Sequence, residues 1–435
     1  MITAQLQHQW AERLLAQAPP APAPWVEELR RQAGRRLPDL PLVNRKQEAW
    51  RYTNVEPILK TEFDPVVNRP AEYTGPLPEP LFPHVAVLVD GWLMPGLSRL
   101  DDLPEGVTLM SLADALAADD PRVRDHLDRL AGSGDQLFDV LNTALLNDGL
   151  FLHLAPGVVL DAPIEVFHLN SDTGRPTLAQ PRHLMVLEAG AAAVVVEHHL
   201  AGAGSEYLHN GLSEIILEDG ARLAHTRIQD ESPAAWHLST LLLDQEADSR
   251  YHGITLAFGS RLSRTFYRDF FGAEGAHCTL RGLYTVGDDQ LQDFHLDVRH
   301  NVPHCSSREQ FKGLLYGKGR AVFDGRILVE HQAQKSDAEL TNDNLMLTRN
   351  AEVDTKPQLE IYADDVKASH GTTVGQLEPQ QIFYLRARGI PQRRAQHLLC
   401  EGFAGEIIDH VQPEPLREQA MARLRSTLDQ LDAHE

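Results

Sequence analysis

The sequence predicts a mainly β protein, a long all-β core set between a helical segment at each end. Three observations carry this expectation. From about residue 150 short apolar runs replace helical periodicity, Gly- and Asp-containing turns separate those runs, and helix start and stop signals return abruptly after Gly375. The expected organisation is an N-terminal helical and mixed domain over 1–149, a β core over 150–376 and a C-terminal helical domain over 377–435.

Residues 1–36 read as helices interrupted by Pro19-Pro20-Ala21-Pro22-Ala23-Pro24, a stiff extended linker by composition. Trp25–Arg36 carries helix formers with its charges on one side, and Asn44–Tyr52 reads as a short helix with Trp50 and Tyr52 as packing anchors. Prolines recur from Pro65 to Pro83, where no helix persists. Val85–Val89 reads as a strand, and Ser111–Leu116 and Asp135–Asn147 as helices. In the core the strand candidates are Val158–Leu160, Leu184–Leu187, Ala193–Glu197, Glu214–Leu217 and Ile254–Phe258. The turns between them include Pro156-Gly157, Glu188-Ala189-Gly190, Glu218-Asp219-Gly220, Gly272–Gly275, Gly317–Gly319 and Arg349-Asn350-Ala351. The first of these fall roughly 30 residues apart, too irregularly for a strict repeat. Such a rhythm suits a sandwich, a barrel or a parallel solenoid, and periodicity ranks solenoid and sandwich equally. Beyond Gly375, Glu378-Pro379 opens a helix that Gln380–Arg388 fills and Gly389 closes. Pro391 begins a second helix through Ala404, and Pro415–His434 is a last amphipathic one.

The 435 residues include 62 acidic and 40 basic side chains, a net charge of −22, which argues against sequence-independent nucleic-acid binding. No apolar run reaches the roughly 18 residues of a spanning helix, so no membrane partner is expected. The N-terminus lacks the basic start and apolar stretch of a secretory signal. Cys278, Cys305 and Cys400 lie far apart and are odd in number, which speaks against a disulfide framework and for a reducing cytoplasmic setting.

Asp364–Thr373 reads DDVKASHGTT and sets His370 in a small, polar, turn-like stretch between a strand run and a helix. Neutral imidazole is a good iron ligand and replaces thiolate in some clusters. Ser369 and Gly371 leave room for a partner to approach; the competing reading is a solvated histidine in a turn. His295, His300 and His304, with Asp297 and Cys305, form the densest run of metal-capable side chains. Their spacing matches no zinc template, so a polar strand-and-turn face is the expected role. Gly313–Gly319 superficially resembles a phosphate-binding loop, but its glycine gap is one residue short and Gly319 stands where Ser or Thr is required. Phe383, Tyr384, Ile390 and Leu398, beside the basic Arg386, Arg388, Arg393 and Arg394, can face the β core or a partner.

Several segments, taken in order, point to one family. They are Glu48–Thr53, Leu141-Asn142 followed by Asp148-Gly149, Leu154–Val158, Asp354–Pro357, and above all Leu359–Gly375 followed by Phe383–Ile390. Over essentially all of 45–410 the chain resembles the SufB/SufD family, scaffold subunits of the Suf iron–sulfur cluster assembly machinery. The resemblance implies a right-handed parallel β-helix core flanked by N-terminal and C-terminal helical domains. It implies a non-catalytic scaffold that pairs with SufB through the β-helix and binds the ATPase SufC through its C-terminal helices. ATP-driven dimerisation of SufC would rearrange the SufB interface, where a nascent cluster assembles. His370 matches the family's histidine ligand, so the resemblance makes it the metal-binding and cofactor-binding residue for a transient iron–sulfur cluster shared with SufB. No catalytic residue is implied, and no cofactor held tightly by this chain alone; a homodimer is the alternative assembly when SufB is absent.

The chain departs from the family at Ala368, where a cysteine often sits two residues before the histidine, so ligation there falls on His370 alone. It lacks the cysteine-rich N-terminal motif of many SufB proteins and reads KASHGTT where they carry a Glu-His-Glu type segment, which places it in the SufD-like branch. The competing function is a β-helix polysaccharide lyase or hydrolase, which needs an exposed acid–base pair. Asp364 and Asp365 are adjacent and on a strand would face opposite ways, and the secretion signal such an enzyme uses is missing.

Overall fold

Two facing sheets, one of eleven strands and one of ten, are wound by the chain into a solenoid of about eight turns. The computed structural model describes residues 4–132, 134–202 and 204–431. Each turn gives one strand to each sheet: Tyr207–Leu217 joins the first and Arg222–Asp230 the second, and so on to Glu352–Ile361 and Lys367–Gly375. Strands two apart in sequence pair in parallel, Arg182 with Leu212, Leu262 with Leu291 and Arg320 with Glu352. Parallel pairing throughout the core decides between the two architectures that periodicity left equal, because sandwiches pair antiparallel.

In-register stacking makes side chains recur in columns. In the first sheet Leu152, Met185, Ile215, Leu243, Asp269, Val298, Ile327 and Leu359 form one column, apolar except at Asp269. In the second, Ile164, Val195, His225, Gly253, Leu280, Glu309, Leu340 and His370 form another. The inward columns of both sheets build the central apolar core.

One turn position repeats along the solenoid. Gly157, Gly190, Gly220, Asp248, His304 and Lys335 all hold positive φ. Each donates its backbone N–H to a carbonyl in the turn of the next coil, of Ala189, Asp219, Ala247, Glu274, Gln334 and Asp365 in that order. Glycine meets this left-handed conformation most easily and returns at Gly275, in register between Asp248 and His304, while other later coils fill it with Asp, His and Lys.

The N-terminal helices Ala4–Leu15, Pro24–Arg36 and Leu137–Ala144 lean on the outside of the first sheet, where Trp10, Leu14, Phe138 and Leu141 pack with Leu208, Trp236 and Leu262. The tail helices Gln392–Ile408 and Glu414–Leu431 lie along the outer face of the second sheet rather than capping the solenoid's end. Ala404, Ile407, Leu416 and Leu424 cover Ile228, Leu256, Leu283 and Leu314 there. Residues 432–434 of the last expected helix lie outside the described residues.

Three local expectations are corrected. Asn44–Tyr52 forms only the 3-10 turn Glu48–Trp50, in which Trp50 N donates to the Gln47 carbonyl and Arg51 N to that of Glu48 while the Trp50 ring is buried. Val158–Leu160 is a turn with one bridge, Val159 to Ala192, because the coil is changing sheets there. His370 lies mid-strand in Lys367–Gly375, since pairing with Asp337–Met346 outweighs the turn-like composition. Gly313 sits within the strand Ser306–Leu315 and Gly317–Gly319 turn into the next strand, so no helix follows as a phosphate-binding loop demands.

Candidate functional site: the open last coil

Glu352–Ile361 and Lys367–Gly375 end the two sheets, and each pairs with one strand only among the described residues. His370 is in register with Leu340, which is fully buried in the core. Alternation therefore places His370 in the column that faces into the solenoid, together with Ala368 and Thr372. It is nonetheless exposed, because no further coil lies over it. The two end strands approach each other where Thr355 Oγ1 and Thr372 Oγ1 meet at 3.1 Å, and Thr372 also donates to the Asn342 carbonyl at 2.9 Å. Tyr362 and Val374 at this end are 59% and 53% exposed, apolar surface beside unpaired strand edges. Such edges are templates for pairing with another chain.

Around His370 no group of three or more metal-capable side chains converges among the described residues. The three thiols, Cys278, Cys305 and Cys400, are all buried. Burial pushes the Cys305 thiol up to about 11 and that of Cys400 up to about 12, so neither is a ready thiolate.

The run His295, Asp297, His300, His304 and Cys305 is dispersed, as a polar strand-and-turn face would be. His295 Nε2 lies 2.9 Å from Asp293 and 2.8 Å from Arg264, whose guanidinium sits 3.9 Å over the Trp50 ring. Thr53 donates to Asp293 at 2.5 Å, so this cluster clamps the N-terminal segment to the solenoid. His300 is buried against Ser307 and Phe271, and burial drives its pKa down to about 4. Asp297 holds Arg299 and Arg326, both at 2.8 Å, His304 occupies the repeating turn position, and the Cys305 thiol donates to the Ala273 carbonyl. Asp364 and Asp365 lie in the turn between the last two strands, and Asp365 is ion-paired with Lys335, so they form no acid–base pair on a sheet face.

With this geometry in view, comparison with known proteins is decisive. Residues 167–403 match the family model for "SUF system FeS cluster assembly, SufBD core domain", and residues 12–166 match that for "SufBD protein N-terminal region". The chain belongs to the SufBD family. It is a homologue of the iron–sulfur cluster assembly protein SufD of Escherichia coli, 33% identical over 399 residues that cover 89% of each chain. An iron–sulfur cluster assembly SufBD family protein of Synechocystis is 31% identical over 387 residues, covering 86% of this chain and 85% of its own. The chloroplastic protein ABCI7 of Arabidopsis thaliana is 29% identical over 430 residues, 96% of this chain and 89% of its own.

Most segments that carry the SufBD resemblance prove to be architectural. Asn142 donates to the carbonyls of Pro181 and Asn210 at 3.1 and 2.8 Å, joining helix to coil. Buried Asp148 accepts from Ser111 Oγ, Ala113 N and Leu93 N. A Cβ on Gly149 would meet the Arg182 carbonyl oxygen at 1.9 Å. Lys356 pairs with Glu48 and fastens the last coil to the N-terminal segment. His370 and its open coil stand apart from this scaffolding.

Two carboxyls inside the solenoid give the SufBD core a pH dependence. Burial pushes Asp269 up to about 7 and Glu309 up to about 8. Folded, both hold protons that the unfolded chain releases near pH 4, so their stabilisation is complete in acid and disappears as pH rises through 7 to 8. The melting temperature should fall between about pH 5.5 and about pH 8.5, and Asp269→Asn with Glu309→Gln should flatten that fall. Parallel melting curves for variant and parent across the range would contradict this.

Proposed function

We propose that this chain is a non-catalytic scaffold subunit that pairs with SufB through its open last coil, docks SufC through its tail, and lends His370 to a nascent iron–sulfur cluster at the seam. The reading rests on one observation: His370 occupies an inward-facing column position in a coil that nothing among the described residues covers. A second solenoid set against those strand edges would bury the exposed apolar surface and enclose the imidazole. One imidazole does not hold a cluster, and with Ala368 beside it and the chain's thiols buried, sulfur ligands would come from the partner. The cluster is cargo here, not a resident cofactor. ATP hydrolysis would belong to SufC, in keeping with the strand-turn-strand setting of Gly313–Gly319.

The docking surface for SufC would be the helix Pro379–Arg386; in support, no residue of it is buried and Phe383 and Tyr384 are 73% and 56% exposed. Arg388 lies 4.3 Å over the Tyr384 ring, adding positive charge next to the aromatic pair. Deleting the tail from Gln380 would also strip the apolar cover from the second sheet, so point changes test docking more cleanly. Phe383→Asp with Tyr384→Asp should weaken capture of SufC at least ~10-fold, as loss of aromatic anchors does. Because both side chains are exposed, melting and SufB capture should stay as in the parent. Undiminished SufC capture by the folded double variant would refute this docking surface.

A further inference from the structure

Away from the open coil, five imidazoles gather inside the solenoid at the corner where the chain passes from the second sheet to the first, His183 standing edge-on 5.1 Å from His168 and the other four forming two stacks. His168 and His199 close their strands there and stack at 4.2 Å; His209 and His237 begin theirs and stack at 4.7 Å. The two stacks meet edge-on, His199 being 5.0 Å from His209 and 4.9 Å from His237. All four side chains are buried.

One ring nitrogen from each of His199, His209 and His237 lies within 4.8 Å of the others. A tetrahedral ion with bonds of about 2.0–2.1 Å draws its nitrogens to about 3.4 Å, a change within reach of small ring rotations. The Nδ1 atoms of His168 and His199 are buried without a hydrogen-bond partner, a costly state that calls for an occupant. His199 Nε2 faces Glu197 at 3.3 Å and the Arg227 guanidinium at 3.4 Å, which leaves Nδ1 as its donor. Glu231 Oε2 lies 2.8 Å from His237 Nδ1, which like the other two Nδ1 atoms has no hydrogen-bond partner, and the same carboxylate accepts from Tyr207 and Gln229 at 2.8 Å, so a carboxylate already held in place stands beside the His237 ring. A carboxylate orienting a histidine from behind is the usual support of a metal ligand. Glu197 and Glu231 together outweigh the single charge of Arg227.

We propose that this corner binds one borderline divalent transition-metal ion through His199, His209 and His237, with Glu231 as the orienting carboxylate. Three imidazole ligands favour such an ion over calcium or magnesium, which take oxygen ligands. The site is separate from the proposed seam: the last coil lies four strand spacings, about 19 Å, beyond the strand that carries His237.

The test is anaerobic titration of the chelator-treated full chain with Co²⁺. The expected result is one saturable equivalent with the visible ligand-field bands of a low-coordinate nitrogen site, displaced by Zn²⁺. X-ray absorption of the one-equivalent Co²⁺ protein should show at least three imidazole nitrogens at about 2.0–2.1 Å. His209→Phe and His237→Phe, which keep ring volume, should abolish the bands, and Glu231→Gln should weaken binding 10–100-fold, whereas His370→Ala leaves binding unchanged. No saturable site in the parent chain, or an oxygen-dominated shell, overturns the proposal whether or not the Phe variants fold. Bands that survive in folded His209→Phe or vanish in His370→Ala overturn it as well.

Discussion

Replacing His370 by alanine is expected to leave the chain folded and bound to SufB and SufC while cluster maturation in cells collapses. The side chain is exposed, so its loss should change stability by no more than about 0.5 kcal/mol. What disappears is a nitrogen donor on a coil whose inward face no other described residue covers. His370→Cys supplies a thiolate at the same position and should restore part of the activity, which a purely structural role would not allow. Activity of cluster-dependent enzymes in cells carrying each variant reads the outcome; normal maturation with alanine would remove His370 from the site.

The largest effect on folding is expected at Arg182. Its guanidinium is fully buried and holds Glu214 at 2.7 Å and Asp128 at 3.1 Å, while Asn142 and Thr143 accept from its other nitrogen. Arg182→Leu fills the space but strands the buried Glu214 carboxylate without a counter-charge, at a cost of about 3–5 kcal/mol. The variant should lose many degrees of melting temperature or accumulate insolubly. Arg182→Leu combined with Glu214→Leu should recover part of the loss, because it removes the orphaned charge together with its partner. A single variant that melts with the parent would show that the network is replaceable.

The helical–β–helical order was legible because its signals are local: capping prolines, a closing glycine after Arg386, and a change of hydrophobic period near 150. Gly389, with φ of 86°, does end the helix where the sequence marks it. The solenoid period was only half legible. Glycine marks the repeating turn at 157, 190, 220 and 275, but Asp248, His304 and Lys335 fill the same backbone position and carry no shared chemical signature. His370 could be singled out by resemblance, yet its setting could not, since exposure of an inward column is a property of where the coils stop. The imidazole corner was illegible because its members come from four successive coils and meet only through stacking. Conversely, His295 through Cys305 looked dense in sequence, but alternation and a turn send those side chains to different places.

The central claim is that His370 reaches a cluster at a seam with SufB. The most direct measurement is pulsed electron paramagnetic resonance on the anaerobically loaded, reduced complex, with ¹⁵N-histidine incorporated into this chain alone. The account predicts a single strong ¹⁵N coupling to the cluster that vanishes in His370→Ala while the complex stays intact. A cluster signal with no such coupling, or one that persists in His370→Ala, would contradict it.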